Sequence, residues 1–120
     1  MLNTIYSRAM SELSEIFGAS FSNLDSGHGA RVATAKKGKM TIYHANIANG
    51  NQAEIAFDVP SLAARFKLSE SDTAAFLKQL KTLTGRPVEL NPRYQWPRVG
   101  LATEDHVKQV MSALRARLTA

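Results

Sequence analysis

The sequence predicts an α+β fold, a single domain in which an antiparallel sheet is covered by helices. Amphipathic stretches with apolar residues at helical spacing occur beside short runs in which every second residue is apolar. These stretches follow the order α-β-β-β-α-β-β-α, and such segregation of strands from helices is typical of an antiparallel sheet. A length of 120 residues is that of one domain, so we expect residues 1–120 to form one unit.

The first predicted helix covers residues 3–17. Asn3 or Thr4 can cap its start, and Gly18 ends it. Its apolar residues share one helical face: Leu2, Ile5, Tyr6, Ala9, Leu13, Ile16 and Phe17. Residues 19–29 are rich in Ser, Gly, Asn and Asp, so we expect a loop there.

Residues 30–59 are predicted to form a three-stranded meander. The segment KKGK, residues 36–39, makes its first turn. Asn49–Gly50 makes the second as a tight hairpin tip, because both central residues of a type I′ turn need positive φ. Pro60 ends the third strand, and Ser61 is expected to cap a short helical turn.

Two further strands and two long helices complete the prediction. Ser69 caps the second long helix and Gly85 ends it. Residues 87–90 and 94–101 are the predicted strands, and Thr103 caps the last helix. The apolar stripe of the second long helix is predicted to be Thr73, Phe76, Leu77, Leu80 and Leu83. Four residues of the two helical stripes are expected to be buried: Phe76, Leu80, Val110 and Leu114.

Composition excludes several classes of protein. The chain has no cysteine, which excludes a disulfide scaffold, a thiolate zinc site and a cysteine nucleophile and fits a reducing compartment. The first residues do not resemble a secretory signal, and no apolar run approaches the length of a membrane span. We therefore expect a cytoplasmic protein without a membrane partner.

No arrangement of residues predicts catalysis. His28, His44 and His106 do not have metal-ligand spacing. Glu54 and Asp58 lack the acid-x-Lys pattern of nucleases, and the glycines form neither a phosphate loop nor a dinucleotide fingerprint. We expect a protein that is not an enzyme and has no cofactor, no catalytic residue and no metal.

The net charge of +5 lies in the second half of the sequence. Residues 1–59 hold five basic and five acidic side chains, whereas residues 60–120 hold ten basic and five acidic ones. A one-sided positive field attracts polyanions such as nucleic acid. Basicity that serves only solubility is the alternative.

The segment NPRYQWPRVGL, residues 91–101, contains the only tryptophan. Val99 and Leu101 lead into the last helix, so their side of the strand is expected to face the core. Alternation then places Tyr94, Trp96 and Arg98 on the opposite side, where exposed rings can stack on unpaired bases. Pro97 predicts an edge strand or a bulge. A bend at one of the prolines would instead place Trp96 in the core or in a dimer seam.

The sequence-based hypothesis is a non-enzymatic module that binds nucleic acid through its basic second half. Its expected contact residues are Lys36, Lys37, Lys39, Arg93, Tyr94, Trp96 and Arg98. The alternative is a homodimeric module that binds a protein or a small ligand. In that case the same aromatic residues would lie in a seam or pocket, and an edge strand would pair with a partner.

Overall fold

A computed structural model of the chain describes residues 3–48, 50–86, 88–90 and 96–119, with the side chains of residues 89 and 90 outside that description. Its helices are α1 Thr4–Phe17, α2 Val59–Phe66, α3 Glu70–Thr84 and α4 Glu104–Thr119. Its strands are β1 Ser22–Asn23, β2 Gly29–Val32, β3 Met40–Tyr43, β4 Ala53–Phe57, β5 Val88–Leu90 and β6 Pro97–Leu101. The predicted α+β class and the order of the elements are confirmed. The two-residue strand β1 is an addition within the predicted loop.

The strands form one antiparallel sheet in the order β1-β2-β3-β4-β6-β5. The helices α2 and α3 connect β4 to β5, and β6 then returns between those two strands. Met40 pairs with Phe57 and Ile42 pairs with Ile55, so their side chains lie on the same side of the sheet. Together with Val99 and Leu101 they form the floor of the core.

All four helices pack their apolar residues on that side of the sheet. Ile5, Leu62, Leu80 and Val110, one from each helix, belong to a single core cluster with the strand residues. Leu80, Val110 and Leu114 are buried as predicted. One layer of helices on one face of a sheet is a common α+β arrangement.

The predicted stripe of α3 is wrong at its margins. The buried residues of α3 are Thr73, Leu77, Leu80 and Thr84. Leu83 lies about a quarter turn from the centre of this stripe and is 42% exposed. Phe76 is half-buried at the same margin, where its ring packs edge-on against Phe66 with centroids 5.3 Å apart.

The helix caps at Asn3, Gly18, Ser69, Gly85 and Thr103 lie where the sequence places them. The cap of the short helix does not. Asp58 caps α2, because its carboxylate accepts from the Ser61 backbone N–H at 3.2 Å. The Ser61 hydroxyl instead accepts from the Lys39 N–H at 2.9 Å and fastens α2 to the start of β3.

The second predicted hairpin is longer than a two-residue turn. Asn51 N–H donates to Ala48 C=O at 3.1 Å, and Gly50 has φ of 91°, so a turn does lie there. Asn49 itself lies outside the described residues. The strands do not reach this turn, since β3 ends at Tyr43 and β4 begins at Ala53. The intervening chain bends away from the ladder, with Asn46 in the left-handed region at φ 58°.

The expectation of an edge strand at Pro97 is also wrong. Strand β6 pairs with β4 on one side and with β5 on the other. Pro97 is the first residue of β6 and pairs only with Leu90 of β5, while the ladder with β4 begins at Arg98. A proline at the first position removes no bond from the interior of the ladder, so an internal strand accommodates it.

Candidate functional site: the distal face of the sheet

The face of the sheet opposite the helical layer, here called the distal face, carries the polar strand residues. Ladder pairing places five of their side chains there, together with the methyl group of Ala56: Arg31, Thr41, Tyr43, Glu54 and Arg98. These residues alternate with core residues on the same strands. The alternation of side chains along each strand places these residues on the distal face and the core residues on the opposite face.

An ion pair lies at the centre of the distal face. Arg98 Nε lies 3.1 Å from Glu54 Oε1, and the exposed fractions of the two side chains are 18% and 7%. The N–H is not aimed at this oxygen, and Nε and Nη2 make no hydrogen bond, so the contact is ionic rather than a formed hydrogen bond. The guanidinium also lies over the ring of Tyr43, 4.3 Å from its centroid. Arg98 is thus occupied by a carboxylate and a ring of its own sheet.

The second oxygen of Glu54 holds the β3–β4 connection onto the distal face. Glu54 Oε2 accepts from Ala48 N–H and from Asn51 Nδ2, both at 2.7 Å. The Asn51 amide lies so close over Gly100 that a Cβ at Gly100 would be 2.5 Å from Asn51 Nδ2. Asn51 Oδ1 in turn accepts from Arg86 Nε. This chain of contacts is a structural network at one end of the face.

The other end of the distal face contains a pocket of about 460 Å³, here called the Trp96 pocket. Its wall combines two aromatic rings, two cations and a hydroxyl with small apolar groups. The lining residues are Leu24, Arg31, Val32, Ala33, Lys39, Thr41, Tyr43 and Trp96. Lys39 Nζ lies 5.6 Å from the centroid of the Trp96 ring, which is half-buried.

Sheet pairing explains how Trp96 reaches β3. Asp58 N–H donates to Lys39 C=O at 3.1 Å, which extends the β3–β4 ladder by one row. Ala56 pairs with Arg98 on β6, so the row of Asp58 is the one that Trp96 approaches on the same face. Ala56 lies in the neighbouring row, between Thr41 and Arg98, and presents only a methyl group to the distal face.

Four cations around the pocket have no carboxylate partner among the residues that the structure describes. Arg31, Lys36, Lys37 and Lys39 are exposed, and none of them forms an ion pair within the described part of the chain. All four lie in residues 31–39. The uncompensated charge therefore comes from a half of the sequence whose formal charges sum to zero.

The acidic residues of that half explain the difference. Glu12 pairs with Arg8 at 3.3 Å and with Arg115 at 3.1 Å, on the α1–α4 side of the molecule. Glu54 is paired with Arg98. Glu12 and Glu54 thus neutralise cations of α1, β6 and α4 rather than those of residues 31–39. Surface charge here follows the tertiary contacts rather than the sum along the chain.

The sequence-predicted contact residues are only partly brought together. Lys36 and Lys37 lie in a single 3-10 turn, Ala35–Lys37. Lys39, two residues after this turn, lines the Trp96 pocket. Trp96 and Arg98 lie on the face opposite Val99, but Arg98 is bound in the ion pair. Arg93 and Tyr94 lie outside the described residues.

Sequence reasoning missed Arg31 and Tyr43 as members of the site. Alternation along β3 already separates Tyr43 from the core residues Met40 and Ile42. Extending that alternation across the ladder to Arg31 required the register Arg31↔Thr41, which the sequence does not contain. The sequence therefore indicated which residues of one strand face away from the core, but not which residues of neighbouring strands lie side by side.

Two of the three histidines, His44 and His106, take structural positions. The ring of His44 packs edge-on against Tyr6, with centroids 4.7 Å apart. His106 is half-buried, and its Nδ1 accepts from Ala102 N–H at 3.0 Å. In the described ranges no three His, Asp or Glu residues are grouped as a metal site requires. None of the helices described is both long enough and apolar enough to cross a membrane.

Comparison with known proteins gives no relative. The chain matches no protein-family model, no curated protein and no solved structure at a significant level. The chemistry of the distal face is therefore the basis for assigning a function.

Proposed function

We propose that this chain is a non-enzymatic module that binds single-stranded nucleic acid on its distal face. In this proposal the Trp96 pocket receives an unpaired base, and the cations of residues 31–39 contact phosphate. The supporting observation is the shared lining of the pocket, where Tyr43 and Trp96 lie beside Arg31 and Lys39. Proteins that bind single strands combine stacking rings with a positively charged groove in this way.

The size and charge of the pocket support a base with its phosphate. A volume of about 460 Å³ lies within the range of small-molecule sites, about 300–1,000 Å³. The cations beside it are exposed and lack carboxylate partners in the described chain, so an anion would not have to displace an ion pair. The Thr41 hydroxyl on the pocket floor can donate to or accept from a base edge.

The arginine that contacts phosphate in this proposal is not one that the sequence-based hypothesis assigned. Arg98 is assigned to support Tyr43 rather than to phosphate, because Glu54 already compensates its charge. Arg31, from the first half of the sequence, takes its place. We assign no cofactor and no catalytic step, since the pocket lining supplies cations, rings and a hydroxyl without a nucleophile paired to a base. We place the activity in the cytoplasm, a reducing compartment that suits a chain without cysteine.

Fluorescence titration with single-stranded oligonucleotides tests the proposal. We expect binding that quenches Trp96 and weakens steeply with salt, with log affinity falling by about 0.7 per phosphate contact against log salt. Trp96→Ala should weaken binding by about 1–3 kcal/mol, as loss of one stacked base does. That variant is followed by anisotropy of a labelled strand, since its own signal is gone. Lys78→Ala, an exposed lysine on α3, is the matched cation control and should bind like the parent protein.

Two outcomes would contradict the proposal. One is the absence of salt-dependent binding to any single strand of about ten nucleotides, a length within the site sizes of single-strand binders. The other is a homodimer or a protein complex with Trp96 in its seam, which is the alternative that the sequence left open. Sedimentation over a dilution series detects that dimer, and its Trp96 emission would change on dilution without nucleic acid.

A further inference from the structure

A second depression adjoins the Trp96 pocket across strand β2. It has a volume of about 430 Å³ and is here called the Lys37 pocket. Its wall runs from the end of α1 to the 3-10 turn after β2. The lining residues are Gly18, Ala19, Ser20, Ser22, Arg31, Val32, Ala33, Thr34 and Lys37.

The two pockets share one wall. Arg31, Val32 and Ala33 line both of them, so the outer part of β2 forms the ridge between them. Ser22 pairs with Arg31 across the β1–β2 ladder, which places its side chain on the distal face. A ligand that leaves the Trp96 pocket over Arg31 therefore enters the Lys37 pocket.

The chemistry of the two walls differs. Among the described residues, two aromatic rings line the Trp96 pocket, whereas none lines the Lys37 pocket. The Lys37 pocket instead offers two cations and the hydroxyls of Ser20, Ser22 and Thr34. Cations and hydroxyls are the side chains that contact phosphate and sugar, and without rings they offer a base nothing to stack on.

A purely structural role accounts less well for Lys37. Its Nζ lies near the end of α1, since a Cβ at Gly18 would be 3.9 Å from it, and a cation there suits the helix dipole. Two carbonyls of that end already have donors, however. Ser14 C=O accepts from Ala19 N–H at 3.1 Å, and Phe17 C=O accepts from Arg65 Nη1 at 3.2 Å.

We propose that the Lys37 pocket is a sugar-phosphate subsite for the nucleotide next to the one whose base occupies the Trp96 pocket. The strand crosses β2 at Arg31, which contacts the phosphodiester between the two nucleotides. The smallest ligand that uses the whole site is a dinucleotide. This inference rests on the proposed function, because it takes the base in the Trp96 pocket as given.

Binding of thymidine and of oligothymidylates of two to four nucleotides tests the subsite. Lys37→Ala should weaken binding of the oligothymidylates about three- to ten-fold, the range expected for losing one charged contact to phosphate. It should also make the slope of log affinity against log salt less negative by about 0.7. Binding of thymidine, which has no phosphate, should be unchanged. Lys78→Ala is again the cation control, and Ser22→Ala gives a second variant that removes one hydroxyl of the pocket.

The outcomes separate the two proposals. One outcome is that the oligothymidylates bind in a Trp96-dependent way, but Lys37→Ala and Ser22→Ala bind them as tightly as Lys78→Ala does. This outcome overturns the subsite and leaves the proposed function standing. Failure of thymidine and of every oligothymidylate to bind the parent protein overturns both. Thermal unfolding of each variant checks the fold. If Lys37→Ala is unstable, Lys37→Gln keeps an unbranched polar side chain without the charge and is subject to the same expectation.

Discussion

The guanidinium of Arg98 lies 4.3 Å from the ring centroid of Tyr43, while its Nε lies 3.1 Å from Glu54 Oε1. The arginine thus joins the carboxylate on β4 to the ring on β3. A cation over an aromatic face is attracted by the ring's quadrupole, and the neighbouring carboxylate compensates the charge. The contact fixes the position of Tyr43 at the border of the Trp96 pocket.

This relationship predicts strong coupling between Glu54 and Arg98. Arg98→Met and Glu54→Gln should each lower the free energy of unfolding by about 1–3 kcal/mol, because each leaves a partly buried charge without its partner. The double variant should cost less than the sum of the singles, with a coupling of about 1 kcal/mol or more. Urea unfolding of the four proteins measures this cycle. Additivity within about 0.3 kcal/mol would show that the pair contributes nothing as a pair.

Two leucines on α3 should differ sharply in their contribution to stability. Leu80 is 2% exposed in the core, and Leu83, less than one turn later, is 42% exposed. Leu80→Ala should cost about 2–5 kcal/mol through lost burial and the cavity it leaves. Leu83→Ala should change the free energy of unfolding by less than about 0.5 kcal/mol. Similar losses in denaturant titrations would mean that the buried face of α3 is misplaced.

The contrast also shows which parts of the fold could be predicted from the sequence. The helices were predictable because caps and spacing act within a few residues, as Ser69 and Gly85 show for α3. The placement of Leu83 was not, because Phe76 and Leu83 widen the apolar stripe on one side and only packing selects the residues that are buried. The position of β6 inside the sheet depended on a long-range crossover that a single proline could not indicate.

The candidate site was predictable to a smaller extent. Strand alternation placed Trp96 and Arg98 on the distal face, and the crowding of lysines marked the β2–β3 connection. Arg98 was assigned to a ligand because its partner Glu54 is 44 positions away in the sequence. Such pairing between distant positions decides which cations remain uncompensated. It is set by sheet register, which local pattern does not encode.

Two glycines test the close packing of β2 against β3. A Cβ at Gly29 would lie 2.0 Å from the backbone oxygen of Ile42, whereas one at Gly27 would meet no atom within 4 Å. Gly27→Ala should cost about 1–2 kcal/mol, because its φ of 77° suits an L-residue poorly. Gly29→Ala should cost more, about 3 kcal/mol or beyond, since backbone must move. The reverse order in thermal or urea unfolding would contradict the tight pairing.

The phenol of Tyr6 predicts a dependence of stability on alkaline pH. Burial raises the pKa of Tyr6 above its ordinary value of 10.0. Above that value the unfolded chain loses the phenolic proton while the folded chain retains it, so stability falls as the pH rises beyond about 10. Tyr6→Phe keeps the ring against His44 and removes the titration. The free energy of unfolding of this variant, measured with urea, should fall less steeply with pH over that range. Equal falls in the variant and the parent protein would assign the loss of stability to other groups.

The lone tryptophan reports the charge of its pocket directly. Trp96 is half-buried and faces Lys39 Nζ at 5.6 Å, with Arg31 on the same pocket wall. Iodide should therefore quench its fluorescence more strongly than caesium, because the local positive field concentrates anions and repels cations. The difference should shrink with ionic strength, since exposed charges are screened over about 10 Å at 0.1 M salt.

Charge variants isolate the source of this asymmetry. Lys39→Gln and Arg31→Gln should each lower the quenching constant of iodide and raise that of caesium. Lys108→Gln, an exposed cation on α4, should leave both constants unchanged. A bound single strand should reverse the preference, because its phosphates replace the positive field at the pocket mouth and its base shields the indole. Equal quenching by iodide and caesium in the free protein would mean that Lys39 and Arg31 do not act on this pocket, and the phosphate assignment for both would fall.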